Sequence, residues 1–153
     1  MPWPRSHGIF FCFYWTNMIF VVFAISLLFI SIGYLVNKGN AAQLLSGYNR
    51  LSEEERKKID ITSYLELFRR FHWFLGIGIF IGSGVLYFSL GEQWTAFFMT
   101  SFTMVAYCFF IWYGLRFYKG VNVRSTKIAL MIFIILTVFT TGFFIYLLAK
   151  YPL

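Results

Sequence analysis

The stretch FHWFLGIGIFIGSGVLYFSL, residues 71–90, is followed by GEQ, residues 91–93, and then by WTAFFMTSFTMVAYCFFIWYGLRF, residues 94–117. Only three residues separate a pair of apolar runs, each about the twenty residues a helix needs to cross the hydrocarbon core of a bilayer. In hydrocarbon every backbone amide must find its partner within its own segment. The many Phe, Ile and Val residues are therefore helical here despite their preference for strands. The spacing predicts a helical hairpin.

Two further runs flank this hairpin, residues 9–36 before it and 128–149 after it. The three prolines, Pro2, Pro4 and Pro152, interrupt none of the four. The run 9–36 is longer than a span requires, so it tilts or extends into the headgroup layer. It is also too long for the apolar region of a signal peptide, about 7–15 residues, and no small-residue cleavage pattern follows it. It is expected to be retained. No run alternates with period two, which excludes a membrane barrel. The expected fold class is all-α: a polytopic membrane protein of four transmembrane helices, one domain over residues 1–153.

Composition agrees. Of 153 residues, 59% are hydrophobic and 24% aromatic, while 12% are charged. The charged share is about half that of a soluble domain, and a soluble domain of this size cannot bury so much apolar surface. An ordinary soluble enzyme, a disordered chain and a collagen-like fibre are all excluded.

The thirteen Lys and Arg residues set an orientation. The connection 37–70 holds Lys38, Arg50, Arg56, Lys57, Lys58, Arg69 and Arg70. The connection after the hairpin holds Arg116, Lys119, Arg124 and Lys127. The hairpin turn carries only Glu92, and the ends of the chain add Arg5 and Lys150. Eleven basic residues thus share one face and two the other. The bias of Lys and Arg toward the cytoplasm predicts both basic connections inside, with both termini and the Glu92 turn outside. The net charge of +7 lies on short loops at a membrane surface. Anionic lipid is the expected partner and nucleic acid is not, since no soluble domain carries the charge.

The connection 37–70 is the only sizeable polar region. Ser52 followed by Glu53, Glu54 and Glu55 forms a capping-box signature, with Ser52 as N-cap and Glu55 three residues on. A short helix through about Ile59 is predicted, with acids in its first turn and Arg56, Lys57 and Lys58 toward its end, as the helix dipole prefers. Ser63 and Glu66 offer a second capping box. From Tyr64 the apolar positions Tyr64, Phe68 and Phe71 recur at helical spacing, so the second membrane helix is expected to begin outside the core. Arg69 and Arg70 then sit at headgroup level, with Trp73 just inside.

The run Leu44-Leu45-Ser46-Gly47-Tyr48-Asn49-Arg50-Leu51-Ser52-Glu53-Glu54-Glu55-Arg56-Lys57-Lys58-Ile59-Asp60 resembles the hallmark loop of a family of small bacterial membrane proteins of unknown function. Phe74-Leu75-Gly76 loosely matches the pattern that follows that loop in the family. The resemblance covers about residues 9–118. It differs at Ile59, where the family commonly has Tyr, and in the added C-terminal helix. It implies a bacterial inner-membrane protein with this loop in the cytoplasm, so that the outer side expected for the termini from the basic residues is the periplasmic one. It implies no activity.

Few residues carry chemistry. Gly76, Gly78, Gly82 and Gly84 do not match a nucleotide fingerprint. Gly78 and Gly82 form a small-residue face that permits close helix approach. His7 and His72 fall on opposite faces of the membrane and cannot share a metal, and His72 beside Arg70 is expected to be an interfacial anchor. Cys12 and Cys108 lie at different depths, which disfavours a disulfide, and no zinc spacing exists. No Asp, Glu, Lys or Arg falls inside a span, where proton relays and ion pathways place them. Asn17 is the one strongly polar residue deep in the first run. The Ser and Thr groups, such as Thr100, Thr103 and Thr137, can bond their own helix backbone.

The expected function is that of a non-catalytic accessory or scaffold subunit of a larger membrane complex, with membrane lipids and other integral membrane subunits as partners. No catalytic residue, cofactor or metal is assigned. Interaction candidates are Tyr48, Asn49, Ser52, Glu55 and Asp60 in the loop, Gly78 and Gly82 on the helix face, and Asn17. The alternative is a small transporter or channel component. A lipid-acting enzyme using His72, Glu66, Asp60 or Glu92 is the least favoured reading.

Overall fold

A computed structural model of the chain describes residues 7–45, 48–49, 51–118 and 120–150, with side chains from Met18 onward. Helix α1 spans His7–Leu35, α2 Ala41–Leu44, α3 Glu53–Lys57, α4 Ile61–Leu90, α5 Glu92–Gly114 and α6 Arg124–Lys150. A 3-10 turn, Leu115–Phe117, closes α5. No strand occurs among the described residues. Helices α1, α4, α5 and α6 are long and apolar enough to cross a membrane, and α3 is the short helix between the first two of them. The protein is an all-α membrane protein with four such helices.

Local chemistry sets the boundaries at the basic end, where connections 37–60 and 115–123 lie. After α1, Asn37 and Asn40 cap reciprocally: the Asn37 amide donates to Asn40 Oδ1 at 2.7 Å, and Asn37 Oδ1 accepts from the amides of Gly39 and Asn40. Asn40 Nδ2 also donates to the Leu35 carbonyl at 2.7 Å, closing one of the orphan carbonyls at the end of α1. This turn opens α2, a single helical turn that the loop composition did not announce. Ser52 and Glu55 form the capping box of α3.

At α4 the structure departs from the expected Ser63–Glu66 cap. Asp60 is the N-cap, accepting from the Ser63 amide at 3.1 Å and the Ser63 hydroxyl at 2.6 Å. Glu66 instead pairs with Arg70 one turn on. With Asp60 as cap, α4 has 30 residues. That is about 45 Å of helix, about 15 Å more than the roughly 30 Å of hydrocarbon a span must cross.

At the other end a single residue, Gly91, joins α4 to α5. It is both the C-cap of one and the N-cap of the other, with φ 88° and ψ −172°, a conformation that only glycine adopts without strain. Its amide donates to the Leu86 and Tyr87 carbonyls, and its carbonyl accepts from Thr95. Glu92 stands in the first turn of α5, where the helix dipole favours an acid.

The long helices pack in chain order: α1 along α4, α4 along α5, α5 along α6. Glycines bring the backbones close. Gly76 receives Ile30 and the Ser26 carbonyl of α1, so an added Cβ would stand only 2.6 Å from each. On α1, Gly33 sits against the Arg69 carbonyl and His72 Cβ, each 3.2 Å from where its Cβ would be.

Helix α6 is held differently. Its buried residues are Leu130 and Thr137, seven apart and so on one stripe. Along that seam Cys108 Sγ lies 3.4 Å from Thr137 Oγ1, the Thr141 hydroxyl donates to Ser101 Oγ at 3.5 Å, and the Phe97 and Phe144 rings meet at 6.2 Å. The remaining circumference is bare, with Val138 68% and Phe139 72% exposed.

Candidate interaction site at the basic end

The residues buried along α4, Phe68, His72, Leu75, Gly76, Ile79, Ser83 and Tyr87, recur at spacings of three and four and form one stripe. His72 belongs to that stripe. It is 1% exposed, not an interfacial anchor. Its ring meets those of Phe68 at 4.0 Å, Phe71 at 5.1 Å, Tyr107 at 5.8 Å and Phe110 at 6.1 Å. Nδ1 lies 2.8 Å from the Phe68 carbonyl and Nε2 lies 3.0 Å from the Tyr107 hydroxyl. A carbonyl only accepts, so Nδ1 carries a proton. In the neutral ring Nε2 then accepts from the Tyr107 hydroxyl. Both nitrogens are engaged, leaving neither for a metal or a substrate. His72 clamps α4 to α5, and Phe29 of α1 reaches the same Tyr107 ring at 6.3 Å.

The connection 37–60 folds onto this aromatic centre. Ala41 and Leu45 are buried with Phe68 and Phe110, and Tyr48 packs partly against them. Arg56 organises the turn between α2 and α3: Nε donates to the Tyr48 carbonyl at 3.3 Å, Nη2 donates to the Asn49 carbonyl at 2.9 Å, and the guanidinium lies 5.5 Å from the Tyr48 ring centre. The structure thus ties Tyr48 and Asn49 to Arg56, a residue that sequence reasoning treated only as a helix-end charge, while Ser52 and Glu55 bond each other at the start of the same helix. Asp60 stands apart, at the start of α4. Hydrogen bonds from the Ser63 hydroxyl and amide hold its carboxyl below the usual aspartate range. Much of the polarity in this loop is spent on its own folding, while the Asn49 side chain faces solvent.

Between that loop, the start of α4, the end of α5 and the start of α6 lies an open pocket of about 700 Å³. Phe68, Phe110 and Ile111 line it from the helices, Leu45 and Glu55 from the loop, and Thr126 from α6. Tyr64 closes one wall, its ring meeting Phe110, Phe117 and Tyr118 at 5.7–6.1 Å. Gly114 permits this, since its Cβ would stand 3.3 Å from the Tyr64 ring. Burial pushes the Tyr118 phenol above its ordinary value. Apolar walls with a few convergent polar groups are the usual composition of a binding pocket.

The remaining candidates lie elsewhere. Gly78 and Gly82 face α5 of the same chain: a Cβ on Gly78 would stand 3.0 Å from Phe102 Cζ, and one on Gly82 would collide with the tip of Phe98. Those two rings are stacked, 5.0 Å apart and 12° from parallel. Gly84 faces open space. Asn17 and Cys12 fall outside the described side chains. Thr95, Thr100, Thr103 and Thr137 each donate to the carbonyl four residues earlier. Glu66 is taken by Arg70, Asp60 by Ser63 and His72 by Tyr107, so the carboxylates and the imidazole considered for lipid chemistry are not assembled. Among the described residues no three His, Cys, Asp or Glu side chains gather as metal ligands would.

A comparison with known families finds a match over residues 22–118 to DUF3784, a domain of unknown function. The matched range covers the C-terminal half of α1 through the end of the 3-10 turn and includes the loop 37–60, while α6 lies beyond it. No curated protein and no solved structure matches the chain.

Proposed function

We propose that this chain, which belongs to the DUF3784 family of unknown function, is a non-catalytic accessory or scaffold subunit of a larger membrane complex. One observation carries the reading: α6 rests on α5 by a single stripe and turns the rest of its circumference outward. Ile132, Ile135, Val138 and Phe139 form a continuous exposed face on it. Helix association in a bilayer is driven by van der Waals packing and lipid entropy, and this face is surface that the other described helices leave unpacked. In this reading the basic end faces the cytoplasm across a bacterial inner membrane, both termini lie outside, and the pocket beside Tyr64 receives a segment of a neighbouring subunit.

The test is isolation of the full chain from native membranes in mild detergent, carrying a photoreactive side chain in place of Phe139. Native mass measurement should find a second polypeptide, cross-linked from position 139 and not from the buried position of Leu130. A lone monomer that forms only lipid adducts from Phe139 overturns the reading.

A further inference from the structure

Where α1 ends beside α4, a groove of about 340 Å³ is lined by Tyr34, Arg69, Arg70, Trp73 and Phe74. Its depth is set by helix geometry. If Leu90 marks one edge of the hydrocarbon, about 30 Å of α4 leads back to position 70, so Arg69 and Arg70 stand at the opposite headgroup layer. The groove exists because Gly33 lets α1 lie against the Arg69 carbonyl, which leaves the larger Tyr34 and Trp73 side chains to form its walls.

The two arginines differ. Arg70 is paired with Glu66, one turn back on the same helix. Arg69 is exposed and has no acid partner among the described residues. A guanidinium offers parallel N–H donors in a fixed fork that matches a phosphate. Below it the exposed side of α4 continues as Trp73, Phe74, Phe80, Ile81, Val85 and Phe88, an apolar track leading from headgroup level toward the far side of the bilayer.

We infer that this groove is a binding site for one anionic phospholipid, with its phosphate on Arg69 and its glycerol and first acyl segment against Tyr34, Trp73 and Phe74. The excess basic charge at this end selects an anionic headgroup over one whose phosphate is balanced by an ammonium. The site is independent of any protein partner.

The full chain, in detergent with equal phosphatidylglycerol and phosphatidylcholine, is examined by native mass spectrometry. The wild type should retain one phosphatidylglycerol in preference to phosphatidylcholine. Arg69→Ala should weaken that retention about tenfold or more, the usual weight of a hydrogen bond to a charged group. Lys57→Ala, which removes the same charge outside the groove, should leave it within about twofold. Arg69→Lys, which keeps the charge and the helix but loses the fork, should fall between the two. Inorganic phosphate added at millimolar concentration should not displace the lipid. Equal losses from Lys57→Ala and Arg69→Ala would show a diffuse surface field and overturn the inference. So would unchanged retention in Arg69→Ala, or displacement by free phosphate.

Discussion

His72 Nε2 and the Tyr107 hydroxyl stand 3.0 Å apart across the seam between α4 and α5. Phe68, Phe71 and Phe110 surround that pair, and among the described residues its one further hydrogen bond is that of Nδ1 to the Phe68 carbonyl. Removing the hydroxyl orphans Nε2 in an apolar setting. Tyr107→Phe should therefore cost about 1 kcal/mol, since interhelical hydrogen bonds in membranes average about 0.6 and reach about 1.7 kcal/mol. His72→Ala removes a packed ring as well and should cost about 2–4 kcal/mol. Unfolding by sodium dodecyl sulfate, run as a double-mutant cycle, separates the bond from the packing. Additive losses would show that the two side chains do not interact.

The glycines of α4 should respond to alanine in a fixed order. Gly76→Ala meets the Ser26 backbone, which cannot yield, and should cost about 1–3 kcal/mol by overpacking. Gly82→Ala meets the tip of a phenylalanine and should cost less, because Phe98 can swing, at the expense of its stack on Phe102. Gly78→Ala needs only a small shift of Phe102. Gly84→Ala meets nothing and should be neutral or slightly stabilising through helix propensity. The same detergent titration ranks all four, and a Gly84 variant less stable than the Gly76 variant contradicts the packing.

Ser83 is fully buried with a hydroxyl that finds no partner among the described residues. Elsewhere in these helices buried hydroxyls bond a carbonyl one turn back, as Ser26 does to Val22 at 2.7 Å. Ser83→Ala removes an unsatisfied group at almost no cost in volume. Stability should be unchanged or rise by up to about 1 kcal/mol. Ser26→Ala, by contrast, should be mildly destabilising. Parallel unfolding curves of the two variants give the comparison.

The start of α4 should depend on pH through Asp60. Its carboxyl is held below the ordinary aspartate range by Ser63. A lowered pKa in the folded state means that the cap's stabilisation is present above the unfolded value and is lost as pH falls through the lowered one. The Ser63 amide shift, followed by NMR from neutral pH downward, should hold steady through the ordinary aspartate range and move only below it. Asp60→Asn retains an N-cap acceptor and should abolish that titration while preserving α4.

Much of the fold is legible in the sequence because its causes are local. An apolar run must become a helix in lipid, and Ser52–Glu55 carries its capping box within four residues. The second cap shows the limit of local signals. Asp60 and Ser63 both suit an N-cap, and Asp60 takes the role with Ser63 supplying the donors, while the nearby Arg70 claims Glu66. His72 is misplaced by its neighbours in sequence, since the adjacent Arg70 points to the interface. The stripe through Phe68, Leu75 and Ile79 shares its face and signals burial, but its partner Tyr107 lies thirty-five residues away, on another helix. Arg56 is hidden for a similar reason, because its acceptors are backbone carbonyls, which no side-chain pattern reveals.

Gly91 also governs how the chain takes its place in a bilayer. With a single residue between them, α4 and α5 have no slack. Neither helix can wait at the surface while the other crosses, and neither can reverse alone. The two enter as one object, and whichever way α4 runs, α5 runs the other. Two topological decisions are thereby reduced to one. A longer linker would hand α5 a choice that the native chain withholds.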